Sequence, residues 1–349
     1  MKQFEYAKYK NFALDAEAIS LLSKVYETKG KQSTFLEGAP AVLDTLAAIS
    51  KIQSAEASNR IEGIVTTKDR IEALLKYKSK PINRDEEEIA GYRDVLATIH
   101  ESHNYIPLTA STILQLHRDL LKFTGLGYAG QFKNTENIIA ERDADGKIIR
   151  TIFEPLKPYE TPAAINSICE EYKTSLAEHL IDPLVVIPIF IHDFLCIHPF
   201  NDGNGRMSRL LTLLLFYQCG FTVGKYISIE KIVERTKSDY YAVLEQSSDM
   251  WNENENSPLP FIKYMLRVLL SAYADFEERV IVVSKEKLSK SDRIKRVFDL
   301  TLGKISKEKL IGLLPDISEA TIKLALNKLV KGGYIRIIGS GKNAAYVKC

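Results

Sequence analysis

Apolar side chains recur at spacings of three and four along most of the chain, the period of helices that bury one face. They predict helices over Ala13 to Lys29 and Ala41 to Ile61, the second with Leu43, Leu46, Ala47, Ile49 and Ile52 on its stripe. Thr66 or Thr67 caps the next, which carries Ile71, Leu74 and Leu75. Further helical patterns cover Asp85 to His103, Leu108 to Phe123 and, from Thr161-Pro162, a stretch to Leu180. Leu184 to Cys196 is apolar throughout and reads as a buried helix that Pro188 is expected to kink. Gly205 to Cys219, Thr236 to Met250 and Leu259 to Phe276 are helical again. One stretch departs from this pattern. Ile138-Ile139 and Ile148 to Phe153 have strand character and flank Asp145-Gly146, a hairpin turn signal. A lone hairpin is marginal in water, so it is expected to lie over the helical body.

The tail differs in charge. From Glu286 to Cys349 fourteen Lys and Arg face six Asp and Glu, whereas the whole chain is only +2. Helical patterns over Asp292 to Leu302, Ser306 to Leu314 and Ser318 to Lys331 precede Tyr334 to Ile338 and Ala344 to Val347, two strands joined through Gly339-Ser340-Gly341. That order predicts a winged helix-turn-helix unit, with Thr321, Lys323, Asn327 and Lys328 on its recognition helix. DNA binding through phosphate contacts and docking to a protein both stay open.

At 349 residues the chain calls for one large domain and a smaller one. The expected division is an N-terminal helical region over 1–100, a core over 101–275 and the basic unit over 286–349. Cys169, Cys196, Cys219 and Cys349 are scattered, which disfavours a zinc site or a disulfide framework. The N-terminus lacks the apolar core of a signal peptide, and Leu184 to Ile191 is too short to span a bilayer. A soluble cytoplasmic protein with no membrane contact is expected.

The chemistry gathers in Ile197-His198-Pro199-Phe200-Asn201-Asp202-Gly203-Asn204-Gly205-Arg206-Met207-Ser208-Arg209. An apolar run follows, so Gly203 to Gly205 sit where a loop becomes a helix. The first turn of a helix presents unpaired N–H groups and a positive dipole end, and glycine lets an anion approach the backbone. Arg206 and Arg209, at i and i+3, point to nearly the same side. Two cations over a nest of N–H groups suit a polyanion such as a nucleotide triphosphate. His198 is a candidate base and Asp202 a candidate ligand for a hard metal. His117 and His192 read as hydrogen-bonded core residues.

His198 to Arg209 resembles the signature of the Fic family, HPFx(D/E)GNGRxxR, and matches it at every specified position. The resemblance extends over roughly residues 1 to 270. It implies an all-α Fic-type core with a short β-hairpin flap, and transfer of AMP from ATP to a Ser, Thr or Tyr hydroxyl of a target protein, with the chain itself left open as a further target. By the same resemblance His198 is the base, Asp202 holds Mg²⁺, and Gly203, Asn204, Gly205, Arg206, Met207, Ser208 and Arg209 bind ATP. Tyr240 and Tyr241 would line the adenine side, and the flap would pair with the target as an added strand.

Ser58-Asn59-Arg60-Ile61-Glu62-Gly63 matches the family's inhibitory pattern, (S/T)xxxE(G/N). Alone, a glutamate at a helix end is ordinary solvated surface. The resemblance implies instead that Glu62 reaches Arg209 and turns the α-phosphate of ATP out of line; in some relatives this glutamate supports removal of AMP. Two alternatives remain: transfer of another phosphoryl-containing group, and a DNA-binding regulator whose core only senses nucleotide. A homodimer is left open.

Overall fold

The computed structural model describes residues 2–38, 40–143, 147–179, 181–283, 289–300, 304–314, 317–339 and 344–349. Helices α1 (Ala16–Gly38), α2 (Pro40–Ile61), α3 (Lys68–Lys76), α4 (Arg84–Ser102) and α5 (Ala110–Leu120) form the N-terminal part. Strands β1 (Ile139–Arg142) and β2 (Ile148–Phe153) make an antiparallel hairpin. Then come α6 (Thr161–Ala177), α7 (Pro183–Ile197), α8 (Asn204–Gln218), α9 (Ile229–Arg235), α10 (Lys237–Ser248) and α11 (Leu259–Val283). The C-terminal unit runs α12 (Lys290–Leu300), β3 (Ile305–Ser306), α13 (Lys307–Leu313), α14 (Glu319–Lys331), β4 (Ile335–Ile338) and β5 (Ala345–Lys348).

The two central helices explain the arrangement. In α7 every residue but Pro183 and Leu195 is buried, and α8 is buried from Asn204 to Tyr217 except at Gly205. A helix buried on all sides must be surrounded. Helices α6, α10 and α11 pack on α7, while α2 and α4 pack on α8. The short loop from Ile197 to Asn204 joins this pair, so the motif hangs from the most enclosed part of the core. Asp182 caps α7 by accepting from the Leu184 N–H, and Pro188 lies within the helix.

Several expected boundaries move. Helix α11 continues past Phe276 to Val283, because Phe276 and the buried Val280 keep the i, i+4 stripe going against α1. Helix α1 runs past Lys29 to Gly38 along the same partner. The core therefore does not stop at residue 275. Strand β1 extends into Glu141 and Arg142, whose backbones pair with Arg150 and Ile148. Thr67, rather than Thr66, caps α3. The expected turn at Asp145-Gly146, the helix ends at Leu180 and Leu302, the domain start at Glu286 and the Ser340-Gly341 link lie outside the described residues.

The C-terminal unit has its own core, centred on Ile294, Phe298, Leu310, Ile322 and Leu326. Its sheet is antiparallel in the order β3-β5-β4. Ser318 caps α14, and Lys323, Asn327 and Lys328 are exposed on it, with Thr321 half-buried. No described helix is long and apolar enough to cross a membrane.

Burial lowers the pKa of His100 and His192 to about 3, and of His117 and His198 to about 4. Unfolded histidines bind a proton near 6.5, so the unfolded state gains protons first as pH falls. Stability is thus full above about 6.5 and declines toward the folded values. The urea midpoint should be lower at pH 5 than at pH 7.5, before carboxylates titrate; equal midpoints would contradict this burial.

Candidate active site

The loop between α7 and α8 is built on two left-handed residues. His198 ends α7 with φ 52°, and Gly203 caps α8 with φ 86°. Only glycine takes such a φ without strain, so Gly203 is dictated by the turn while His198 must be held there by its neighbours. The His198 Nδ1–H donates to Leu195 O at 3.3 Å, an assignment from the acceptor it faces, and leaves Nε2 as the ring's proton acceptor. Burial first, then the Lys133 charge, depress its pKa to about 4, against the Leu195 carbonyl, Glu62 and Asp202. The ring is neutral at physiological pH, as a base must be.

Every carbonyl from Ile197 to Phe200 is satisfied from one short segment. Lys133 Nζ donates to Ile197 O at 3.0 Å, and the Lys133 backbone N–H to Pro199 O at 2.8 Å. Asn137 Nδ2 donates to His198 O at 3.4 Å and Phe200 O at 3.2 Å. His117 accepts the Gly130 N–H at Nδ1 and therefore donates from Nε2 to Asp202 O, each at 3.0 Å. Its ring stacks on Phe200 with centroids 3.7 Å apart.

Asn204 does not face the cavity with its amide. Its side chain accepts the Phe200 N–H and donates to Phe200 O, at 2.9 and 2.8 Å, and so closes the loop. Met207 turns into the core, and Ser208 Oγ is used by Gly205 O at 2.7 Å. The two arginines also separate. Arg206 is buried, bonded to Glu88 of α4, and reaches Asp202 Oδ1 at 3.3 Å. Its Nε has no acceptor among the described residues. Arg209 instead lines a cavity of about 230 Å³.

That cavity carries His198, Glu62, Gly205, Arg209, Tyr240 and Tyr241, under a roof of Ile152 and Phe153 from the hairpin. Arg209 NH2 donates to Glu62 Oε1 at 2.7 Å and to Ser58 O at 2.9 Å, and Nε to Ser58 Oγ at 2.8 Å. Burial opposes the Arg209 charge, but the Glu62 carboxylate outweighs it and holds the guanidinium more firmly protonated. The carboxylate lies on the first turn of α8. A Cβ added at Gly205 would come within 2.2 Å of Glu62 Oε1, so the glycine makes that approach possible. Gly63 follows α2 with φ 82°, and Lys237 holds Ile61 O at 2.6 Å. Tyr240 is buried and Tyr241 is 44% exposed, so only the latter offers a free face.

The hairpin lies over this site, with Arg150 paired to Glu245 of α10 and Phe153 edge-on to Trp251. A larger cleft of about 830 Å³ separates α3 from β4 and β5, but none of the motif lines it. The motif residues His198, Gly205 and Arg209 line the smaller cavity.

Residues 107–216 match the Fic/DOC family. The chain carries a Fic domain. Curated relatives include protein adenylyltransferase Fic of Nematostella vectensis, 23% identical over 60% of this chain and 45% of that one. Protein adenylyltransferase fic-1 of Caenorhabditis elegans is 25% identical over 48% of this chain and 28% of its own. The chain thus spans less than half the length of either. Among solved structures, a Fic family protein from Desulfovibrio desulfuricans G20 superposes with a TM-score of 0.62 at 18% identity, covering 97% of both chains. Fic-1 of Caenorhabditis elegans superposes at 0.58 and 20% identity, over 74% of this chain and 72% of that one. The fold is the Fic fold, and the Desulfovibrio match takes in the C-terminal unit as well.

Ser58, Glu62 and Glu88 lie outside the matched stretch and reach the Fic domain through packing of α2 and α4. Sequence reading missed Glu88, Arg84, Lys133 and Asn137. Nothing in the polar run Lys133-Asn134-Thr135-Glu136-Asn137 marks burial, and only the fold shows that Lys133 is 3% exposed. Glu88 holds Arg206 and, at 2.9 Å, Arg84, whose NH2 lies 3.6 Å from Asp202 Oδ2. Removing one member of a buried ion pair strands the other. Glu88→Ala should lose about 3 kcal/mol or more of unfolding free energy in urea; a loss near zero would mean that Arg206 finds another partner.

Proposed function

We propose that this chain transfers AMP from ATP to a hydroxyl of a protein, and that Glu62 restrains the transfer. The observation that carries the reading is the carboxylate of Glu62 on the first turn of α8, bonded to Arg209, in the same cavity as His198. An anion already rests where the helix N-terminus and a guanidinium favour one. A terminal phosphate would compete for that place. Ligand cavities commonly run about 300–1,000 Å³, so the space left beside Glu62 is small for a nucleotide.

In the transfer, the target hydroxyl oxygen bonds to the α-phosphorus as the bond to the bridging oxygen breaks and pyrophosphate leaves. The hydroxyl proton passes to His198 Nε2, which is neutral and unprotonated. The N–H groups of the first turn and the Arg209 guanidinium, which lines the cavity, suit the charge that builds on the phosphates. Asp202 is the residue that would hold Mg²⁺. No group of three or more candidate ligands occurs among the described residues, and one carboxylate fits an ion bound largely through phosphates and water. Bound there, Mg²⁺ would neutralise phosphate charge. The exposed edge of the hairpin suits an extended target segment.

The test uses ATP labelled on the α- or the γ-phosphate. Label from the α-position should appear on protein, rise in Glu62→Gly and vanish in Glu62→Gly/His198→Ala; γ-label on protein would make it a phosphotransferase instead. With His198 held at about 4, the Glu62→Gly rate should be level from pH 6 upward on the acid side. A limb near the ordinary histidine value would contradict its burial.

We read the C-terminal unit as a winged helix-turn-helix that docks a protein. Leu324 is 65% exposed on the α14 face that also carries Lys323, Asn327 and Lys328, a mixed surface unlike a purely phosphate-binding one. Duplex DNA should show no binding that weakens steeply between 50 and 200 mM salt, a range set by counterion release. Such binding would overturn this choice.

A further inference from the structure

We propose that Lys133 is the positioning residue of His198, fixing the backbone on both sides of the histidine and setting the charge that its ring faces. The inference rests on the reading of His198 as the base.

The geometry is specific to the two carbonyls that bracket His198. Lys133 Nζ takes Ile197 O and the Lys133 backbone N–H takes Pro199 O. Asn137 Oδ1 accepts from the same ammonium at 2.9 Å, while its Nδ2 donates to His198 O and Phe200 O. One lysine and one asparagine therefore hold four successive carbonyls. His198 needs this, because a non-glycine residue at φ 52° persists only where its surroundings over-determine it.

A neutral donor could hold a carbonyl, so the buried charge needs a further reason. Ile197 is the last residue of α7, and a cation at a helix C-terminus meets the negative end of the dipole. Burial lowers the Lys133 pKa to about 8, with Glu136 and Glu160 opposing that shift, so it is largely cationic at neutral pH. Among the charges acting on His198, Lys133 favours the neutral ring, while Glu62 and Asp202 favour the protonated one. Burial does most to keep the ring neutral, and the lysine adds to it by offsetting the two acids. Segment 133–137 also leads directly into β1, so the same residues form the root of the hairpin.

The experiment follows the His198 ring by ¹⁵N NMR in full-length protein with labelled histidine, its signal identified by loss in His198→Ala. In the wild type at pH 7.5 the ring should be the Nδ1–H tautomer, and at pH 5.5 still unprotonated. Lys133→Gln, which keeps a donor without the charge, should raise the ring's pKa by about half a unit or more. Lys133→Met should in addition mix the tautomers, and Lys133→Arg should resemble the wild type. In the Glu62→Gly background, Lys133→Met should lower kcat for AMP transfer about tenfold or more, with little change in KM for ATP. A folded Lys133→Gln or Lys133→Met whose His198 signal is unchanged would overturn the proposal. If the methionine variant does not fold, the glutamine and arginine variants decide. The NMR readout needs no turnover, so absence of α-label would refute the transferase reading alone.

Discussion

A guanidinium with 6% of its side chain exposed sets the terms for the rest of the site. Arg209 stands on the buried helix α8 and cannot return its charge to water without unpacking the core. An uncompensated buried charge is costly, so some acceptor must always be present. Ser58 supplies two oxygens from the end of α2 and Glu62 supplies the countercharge. For Glu62 to arrive, α2 must stop beside α8, which the buried Ser54–Glu230–Tyr92 network and Lys237 ensure from neighbouring helices. The Glu62–Arg209 contact is thereby part of the packing, and any incoming anion has to offer Arg209 at least what the carboxylate gives.

The same logic separates the paired arginines. Arg206, one turn earlier, is equally buried but answers to α4 through Glu88. Its role is to tie the α8 start and Asp202 to a different wall of the site. Asp202 in turn lies between Arg206 and Arg84 at 3.3 and 3.6 Å, so its carboxylate is already oriented before any ligand is present.

Much of the architecture could be read from periodicity because most elements are helices with a clear apolar stripe. The run from Leu184 to Cys196 was legible as buried since it is apolar on every side. What periodicity missed has physical causes. Glu277, Glu278 and Arg279 interrupt the stripe of α11, yet Val280 lands on the buried face and the helix continues. In the site, residues contiguous in sequence were visible as a group, but their directions were not: i and i+3 spacing suggested one shared face for Arg206 and Arg209, whereas Glu88 and Glu62 draw them apart. Lys133, Asn137 and Glu88 carry no local sign of burial. Their partners on α7, α8 and the loop between them lie more than fifty residues away, so only the folded chain brings them together.

The approach of Glu62 Oε1 to Gly205 has a consequence for how this chain can drift in sequence. The carboxylate fits because position 205 ends in a hydrogen; a methyl there would stand 2.2 Å from the oxygen. Glutamate at 62 in this pose and a side chain at 205 are mutually exclusive. As far as this contact goes, the two positions are coupled: a side chain at 205 would push the Glu62 carboxylate off the first turn of α8 and change its approach to Arg209, whereas a chain without Glu62 loses this particular contact at 205.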